Sequence, residues 1–309
     1  MKYLHLILFF CGCIWSQNNS EVSLDDVLLL SVKENLFKIT KTDKPRNYKN
    51  VEVLDSVAAF INSEFNKVCD SVSYQKFKVD TRNYKNIIGS IGVNNKKRII
   101  IGAHYDVCGD TEGADDNASG VVGLIELAKK LAKEKLKYRI DFVAYALEEP
   151  PFFKTEQMGS YIHAKYLYDN EIAVKGMLCL ESIGYFSDEL NSQNFPFPSM
   201  IEKFGSTGDF ITIVQNETAR SFSNQVASIM LKNSLLKTKA FKGLSNIPGV
   251  DFSDHLNYWK FNYDALMLTD TAPYRNENYH TKNDVVKTLD IKKMSLVIEQ
   301  VYQTIKRIK

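Results

Sequence analysis

Apolar positions recur along this chain with two periods. Val51, Val53, Leu54, Val57, Ala58, Phe60 and Ile61 fall at helical spacing, and the helix they predict runs on to about Val68. Residues 86–93 read as a strand. A regular alternation follows: the apolar run Ile99-Ile100-Ile101-Gly102-Ala103, then a helical pattern over 119–132 with apolar residues at 121, 122, 124, 125, 127, 128 and 131. A strand over 140–147, a helix over 160–168 and a strand over 177–180 continue it. Near the end, 265–268 is a strand and 291–308 an amphipathic helix. Short apolar strands separated by helices predict an α/β fold, a largely parallel mixed sheet covered by helices on both faces. No internal repeat, low-complexity tract or Pro/Gly/Ser linker interrupts the pattern, so residues 17–309 are expected to form one domain.

In open parallel sheets, ligands bind just beyond the carboxyl ends of the strands. Here the apolar runs end in residues that can hold a metal. His104 and Asp106 follow the first run, Glu148-Glu149 the second, and Glu181 the third. His280 follows the last strand after a loop, and Asp116 lies at the entrance of the helix that begins near Ser119. Singly these residues are weak signals, because an Asp beside Asn at a helix start is more often a cap. Jointly they bring several carboxylates to one sheet edge, where they repel one another unless a cation intervenes. Mixed His and carboxylate donors suit zinc, and one carboxylate can bridge two ions. His163, inside an amphipathic helix, reads as structural.

The segments GAHYD (102–106), GADDNASG (113–120), ALEE (146–149), LESIGYF (180–186) and NYHT (278–281) resemble those of the di-zinc aminopeptidase family. These are metallo-exopeptidases whose relatives include glutaminyl cyclases and glutamate carboxypeptidases. The resemblance spans roughly residues 85–290, with the five blocks in order. It implies a zinc-exopeptidase-like fold holding two zinc ions per chain and a peptide substrate. Asp116 is then the bridging ligand, with His104 and Glu181 completing one site and Glu149 and His280 the other. It also implies that Glu148 is the general base and that Asp106 orients the ring of His104. Many members carry Asp where this chain has Glu181. Ser253-Asp254-His255 resembles a motif near the pocket, which makes His255 the third histidine to consider. Aromatics crowd the stretch between Glu181 and His280, among them Tyr185, Phe186, Phe195, Phe197, Phe204, Phe210, Phe252, Tyr258 and Trp259, and are expected to divide between core and pocket. The competing readings are a glutaminyl cyclase on the same scaffold and a binding module that has lost catalysis.

Composition narrows the remaining choices. A net charge of +2 with 25% charged residues argues against a nucleic-acid binder. Residues 1–16 carry Lys2, an apolar stretch from Leu4 to Trp15, and Ser16 before a polar segment, the layout of a signal peptide for export. A lipid-anchored form through Cys11 or Cys13 is the alternative, and nothing later is apolar enough for a stable membrane span. Export would leave Cys69, Cys108 and Cys179, too few for a disulfide scaffold. Asn18, Asn117 and Asn216 all match the glycosylation pattern, and the coincidence of one of them with the metal cluster shows how little that pattern says.

Overall fold

The computed structural model describes residues 26–309, so the signal-peptide expectation for residues 1–16 lies outside the described residues. Eight strands form one sheet: β1 (Ser71–Val79), β2 (Arg82–Ile91), β3 (Arg98–His104), β4 (Arg139–Tyr145), β5 (Val174–Glu181), β6 (Ile211–Asn216), β7 (Thr238–Gly243) and β8 (Ala265–Thr269). Their order is β1-β2-β4-β3-β5-β8-β6-β7. The middle four strands, β4-β3-β5-β8, run parallel, while the β1/β2 hairpin and the β2/β4 and β6/β8 pairs are antiparallel. The sheet is therefore mixed with a parallel centre, as the apolar runs predict.

Alternation along the central strands feeds two cores. Ile99, Ile101 and Ala103 of β3, Phe142 and Ala144 of β4, and Leu178 and Leu180 of β5 pack into the larger one. Ile100, Val143, Met177 and Cys179 point the other way, into a smaller core with Ala164, Leu167 and Tyr258. On the larger face lie the helices α1 (Asp26–Thr40), α2 (Val51–Asn66), α3 (Gly120–Leu131), α6 (Ser221–Met230) and α8 (Ile291–Arg307). The smaller face carries α4 (Gly159–Asp169) and α7 (His255–Lys260), and a short α5 (Met200–Phe204) sits in the long connection after β5. Helix α3 is apolar nearly all round and is wedged between the sheet and α8, so Val121, Val122, Leu124, Ile125, Leu127, Ala128 and Leu131 are all buried. Helix α8 buries Met294, Val297, Ile298, Val301 and Ile305, one stripe at three- and four-residue spacing. Its start is fixed by Asp290, whose side chain accepts the Lys293 N–H at 2.9 Å.

Sequence periodicity places α2, α3, α4, α8 and five strands to within a few residues, and passes over α1, α5, α6, α7, β1, β6 and β7. Strand β1 is an exposed edge whose residues are mostly polar, and β7 closes the other edge with half-buried positions, so neither shows an apolar run. Cys69, Cys108 and Cys179 are free thiols. No helix of the described residues is long and apolar enough to cross a membrane.

Candidate active site

The parallel centre sets the chemistry at one edge. Strand β3 ends at His104, β5 at Glu181, and Glu148-Glu149 come three residues after β4. Between β3 and α3 the chain makes a wide turn, Ala114–Ser119, which turns Asp116 into the same space. Gly113 precedes that turn at φ +55, where an added Cβ would lie 2.2 Å from the Asp116 carbonyl, so only glycine fits. His280 arrives from the loop after β8. Leu147, Ser182 and His280 all have positive φ, at 64°, 50° and 56°. Left-handed backbone at non-glycine residues is uncommon and costly, and three such positions flanking one cluster mark a region held by its surroundings.

All five predicted ligands meet. His104 Nε2 lies 3.2 Å from Asp116 Oδ1 and 3.3 Å from Glu181 Oε2. His280 Nε2 lies 3.0 Å from Asp116 Oδ2 and 3.3 Å from Glu149 Oε2. The two oxygens of Asp116 thus face different histidines, and each histidine has its own glutamate. Glu148 Oε2 lies 3.8 Å from His104 Nε2. Except for His280, which is about a third exposed, these side chains are buried.

Electrostatics in this cluster are strained. Burial raises Glu148 well above the usual carboxylate range, and Glu149 and Glu181 add to the rise. Burial and then Asp116 push Glu149 up to about 8. Burial also raises Glu181, against the pull of His104. For His104 burial acts downward, yet Glu181 and Glu148 lift it well above its ordinary value. His280 behaves alike: against burial, its bonds to Asp116 and Glu149 raise it to about 10. Burial would raise Asp116 too, but the hydrogen bonds it accepts from both histidines hold it below the usual range. Protons on the imidazoles stand in here for positive charge. Glu149 Oε1 is buried with no hydrogen-bond partner, a costly state for an acceptor. Two nitrogens, three carboxylates and an unsatisfied buried oxygen fit divalent zinc.

Asp106 has a different geometry from the one implied by sequence. His104 Nδ1 lies 3.3 Å from the backbone carbonyl of Asp106 and 3.6 Å from its carboxylate. The shorter contact, to the carbonyl, can fix a proton on Nδ1 and leave the Nε2 lone pair facing the cluster. The Asp106 carboxylate instead accepts the backbone N–H groups of Glu148 and Glu149, both at 3.1 Å. It anchors the loop that carries both glutamates. Asp115, the neighbour of Asp116, accepts from Gly184 N and Asn276 Nδ2, each at 2.9 Å, on the support side of the turn.

Other supports were not anticipated. Asp284 accepts the N–H groups of Asp115 at 2.9 Å and Asp116 at 3.1 Å. Asn117 accepts from Gly120 N and Ser182 N, both at 3.1 Å, and donates to Leu180 O at 2.9 Å. Buried Arg46 donates to the carbonyls of Tyr105 at 2.8 Å, Gly113 at 2.6 Å and Glu112, tying down the loop between β3 and the turn. Ser253 Oγ donates to Glu181 Oε2 at 2.6 Å. Its neighbour His255 is not at the site: it is buried, packs edge-on against Trp259, and contacts Val250 O at 2.8 Å. His163 is structural as expected, with Nδ1 2.6 Å from the Tyr258 hydroxyl.

Beside Glu181 opens an apolar pocket that faces solvent on one side. Of the nine aromatics singled out in sequence, Phe195, Phe204, Phe210 and Phe252 line it, joined by Phe241 and Tyr274. Tyr258 is core, and Phe197 is 48% exposed. Tyr279 also lines the cavity and stacks on the His280 ring at 3.9 Å.

The profile of Peptidase family M28 matches residues 86–305. The chain is 41% identical to the uncharacterized protein YfbL of Escherichia coli (strain K12), over 85% of this chain and 83% of that protein. It is 27% identical to a probable leucine aminopeptidase of Arthroderma otae, over 85% of this chain and 68% of that one. Among solved structures, the LapA aminopeptidase of Legionella pneumophila superposes with a TM-score of 0.69 at 18% identity, covering 94% of this chain and 77% of that chain. The glutaminyl cyclase of Bacteroides thetaiotaomicron bound to N-acetylhistamine gives 0.67 at 18% identity, covering 92% and 98%. Those two likenesses establish a shared zinc-exopeptidase-like fold. The family match spans most of the chain and includes every residue of the cluster: this protein belongs to peptidase family M28 and is a peptidase, a hydrolase.

Proposed function

We propose that the protein is an exported aminopeptidase that uses two zinc ions to release N-terminal residues with large apolar side chains. The observation that carries this reading is Asp116, whose two oxygens face His104 and His280 separately. His104, Asp116 and Glu181 would hold one ion and Asp116, Glu149 and His280 the other. Bound there, zinc would acidify a water and polarise the scissile carbonyl.

The chain's own groups do the rest. Glu148, buried next to His104 and outside the ligand set, takes the proton of the attacking water and delivers it to the leaving amine. Asp106 keeps Glu148 in place through its backbone. The apolar cavity beside Glu181 receives the side chain of the first residue, each buried methylene contributing about 0.8 kcal/mol. A free α-amine would be held by one of the ions through its lone pair, which acetylation removes. Export rests on the pattern of residues 1–16.

Three substrates test this together: a leucine amide, its N-acetyl form, and a peptide beginning with Gln. Release of leucine from the first alone is the expected outcome. Loss of ammonia from the Gln peptide without chain cleavage would establish a glutaminyl cyclase instead. Cleavage of the acetylated form would overturn the requirement for a free amine, and no turnover of any of the three would leave a binding protein.

A further inference from the structure

Cys108 lies in the loop between β3 and the turn, four residues after His104, and takes no part in the chemistry so far described. It is a half-buried free thiol. Its Sγ, a carboxylate oxygen of Glu149 and a ring nitrogen of His280 all lie within 4.8 Å of one another, as do the ligand atoms of His104, Asp116 and Glu149. In the same place, Glu149 Oε1 is buried without a partner. Zn–S and Zn–N bonds of about 2.3 and 2.0 Å put tetrahedral ligand atoms about 3.5 Å apart, so the three atoms need to close by little more than about 1 Å. Side-chain torsions at the half-buried Cys108 and the partly exposed His280 can supply that.

We propose that Cys108 is a metal ligand, joining Asp116, Glu149 and His280 on one ion while His104, Asp116 and Glu181 hold the other. The inference rests on the metal reading above. On binding, the thiol proton leaves to solvent and a sulfur–metal bond forms, with no change of oxidation state. The two positions then differ in kind. One ion has four protein ligands, the closed set of a structural site, and the other keeps three and an open position where chemistry occurs. A soft thiolate also biases the closed position towards zinc over magnesium or manganese.

Cobalt(II) distinguishes the possibilities, because thiolate ligation gives a near-ultraviolet charge-transfer band that nitrogen and oxygen ligands do not. The full chain, stripped and titrated with cobalt, is expected to show that band together with visible d–d bands. Cys108→Ser should lose the near-ultraviolet band, keep the d–d bands, and bind one of the two ions at least 10- to 100-fold more weakly, the range seen when even a supporting contact is lost. A Cys69→Ala control should leave the spectrum unchanged. Wild-type protein that binds cobalt with no near-ultraviolet band overturns the assignment of Cys108 alone, as does a band that survives Cys108→Ser. A wild-type chain that binds no cobalt overturns the metal reading and this inference with it. Should Cys108→Ser fail to fold, alkylation of the wild-type protein decides: zinc is expected to protect Cys108 from iodoacetamide, mapped by peptide mass, and equal labelling with and without zinc refutes the proposal.

Discussion

Stripping the metal should reverse the way stability depends on pH. Without a cation, burial with Asp116 holds Glu149 at about 8, and burial with Asp115 holds Asp284 at about 8. His280 is held at about 10 by its carboxylate partners, against burial. The unfolded chain titrates these carboxyls near 4 and the imidazole near 6.5. Each folded value is raised, so the stability it contributes is present below the unfolded value and is lost as pH rises through the folded one. Each excess proton changes stability by about 1.4 kcal/mol per pH unit. His280 is partly exposed and screened, which leaves Glu149 and Asp284, just under two protons and about 2.4 kcal/mol between pH 6.5 and 7.5. At about 1.5–2 °C per kcal/mol for a chain of this size, the metal-free melting temperature should drop by roughly 4 °C across that unit. Below pH 6.5 this slope levels off, because two other groups oppose it. His163 and His255 are pushed down to about 4 by burial, so the stability from keeping them neutral is lost as pH falls from 6.5 towards 4. Zinc requires the imidazoles of His104 and His280 to be unprotonated, so its stabilisation grows with pH. Thermal melts of chelated and zinc-reloaded protein at pH 6.5, 7 and 7.5 should therefore diverge, one falling and the other rising or level. A metal-free melting temperature that stays flat or rises over this range would refute the reasoning.

Four further outcomes are expected. Glu148→Gln should retain zinc by elemental analysis while turnover falls roughly 10²- to 10⁴-fold, the usual loss for a general base; Glu149→Gln should lose zinc itself, and identical behaviour of the two would show the roles to be wrongly divided. Ser253→Ala removes the 2.6 Å bond to Glu181 and should weaken zinc about 10-fold or more, read by competition with a chelator. Asp106→Asn leaves the Asp106 carbonyl against His104 but weakens the anchor of two N–H groups, so it should lower kcat more than zinc content. Gly176→Ala puts a Cβ 2.1 Å from the Phe222 ring and should cost about 1–3 kcal/mol in urea unfolding, with metal content of the folded fraction unchanged.

Which parts were legible follows from where the physical signal lies. Strands β3, β4, β5 and β8 are buried on both faces, so each appears as an apolar run, and each run stops where the chain reaches the active edge. His104, Glu148, Glu149 and Glu181 could therefore be read from one-dimensional position. His280 and Asp116 lie on loops, where position makes them candidates and the resemblance of NYHT and GADDNASG gives them their roles. By contrast, Asp284, Arg46 and Ser253 act on residues 59 to 169 positions away through single hydrogen bonds, and nothing local distinguishes them from solvated polar residues. His255 stands in a motif that lies at the pocket, but it is Ser253, two residues before α7, that reaches Glu181. The aromatics divided as expected in kind, yet which of them line the cavity depends on how β6 and β7 pair, and those strands were not seen.

Three of the supports share one form, which explains how the cluster can exist at all. Asp106 accepts two consecutive N–H groups, those of Glu148 and Glu149. Asp284 accepts two consecutive N–H groups, those of Asp115 and Asp116. Asn117 accepts one from α3 and one from Ser182, next to Glu181. Each carboxylate that faces the centre is thus fixed through its own or its neighbour's backbone, and Glu181 is held further by the hydroxyls of Ser253 and Ser182. Left to side-chain forces alone, Asp116, Glu148, Glu149 and Glu181 would rotate apart towards water. Backbone anchoring removes that escape and stores the repulsion, and the positive φ at Leu147, Ser182 and His280 is part of the same constraint. A cation entering such a site meets donors that are already ordered, so its attraction is not spent on gathering them. The supports, more than the ligands, are what make these buried like charges a site.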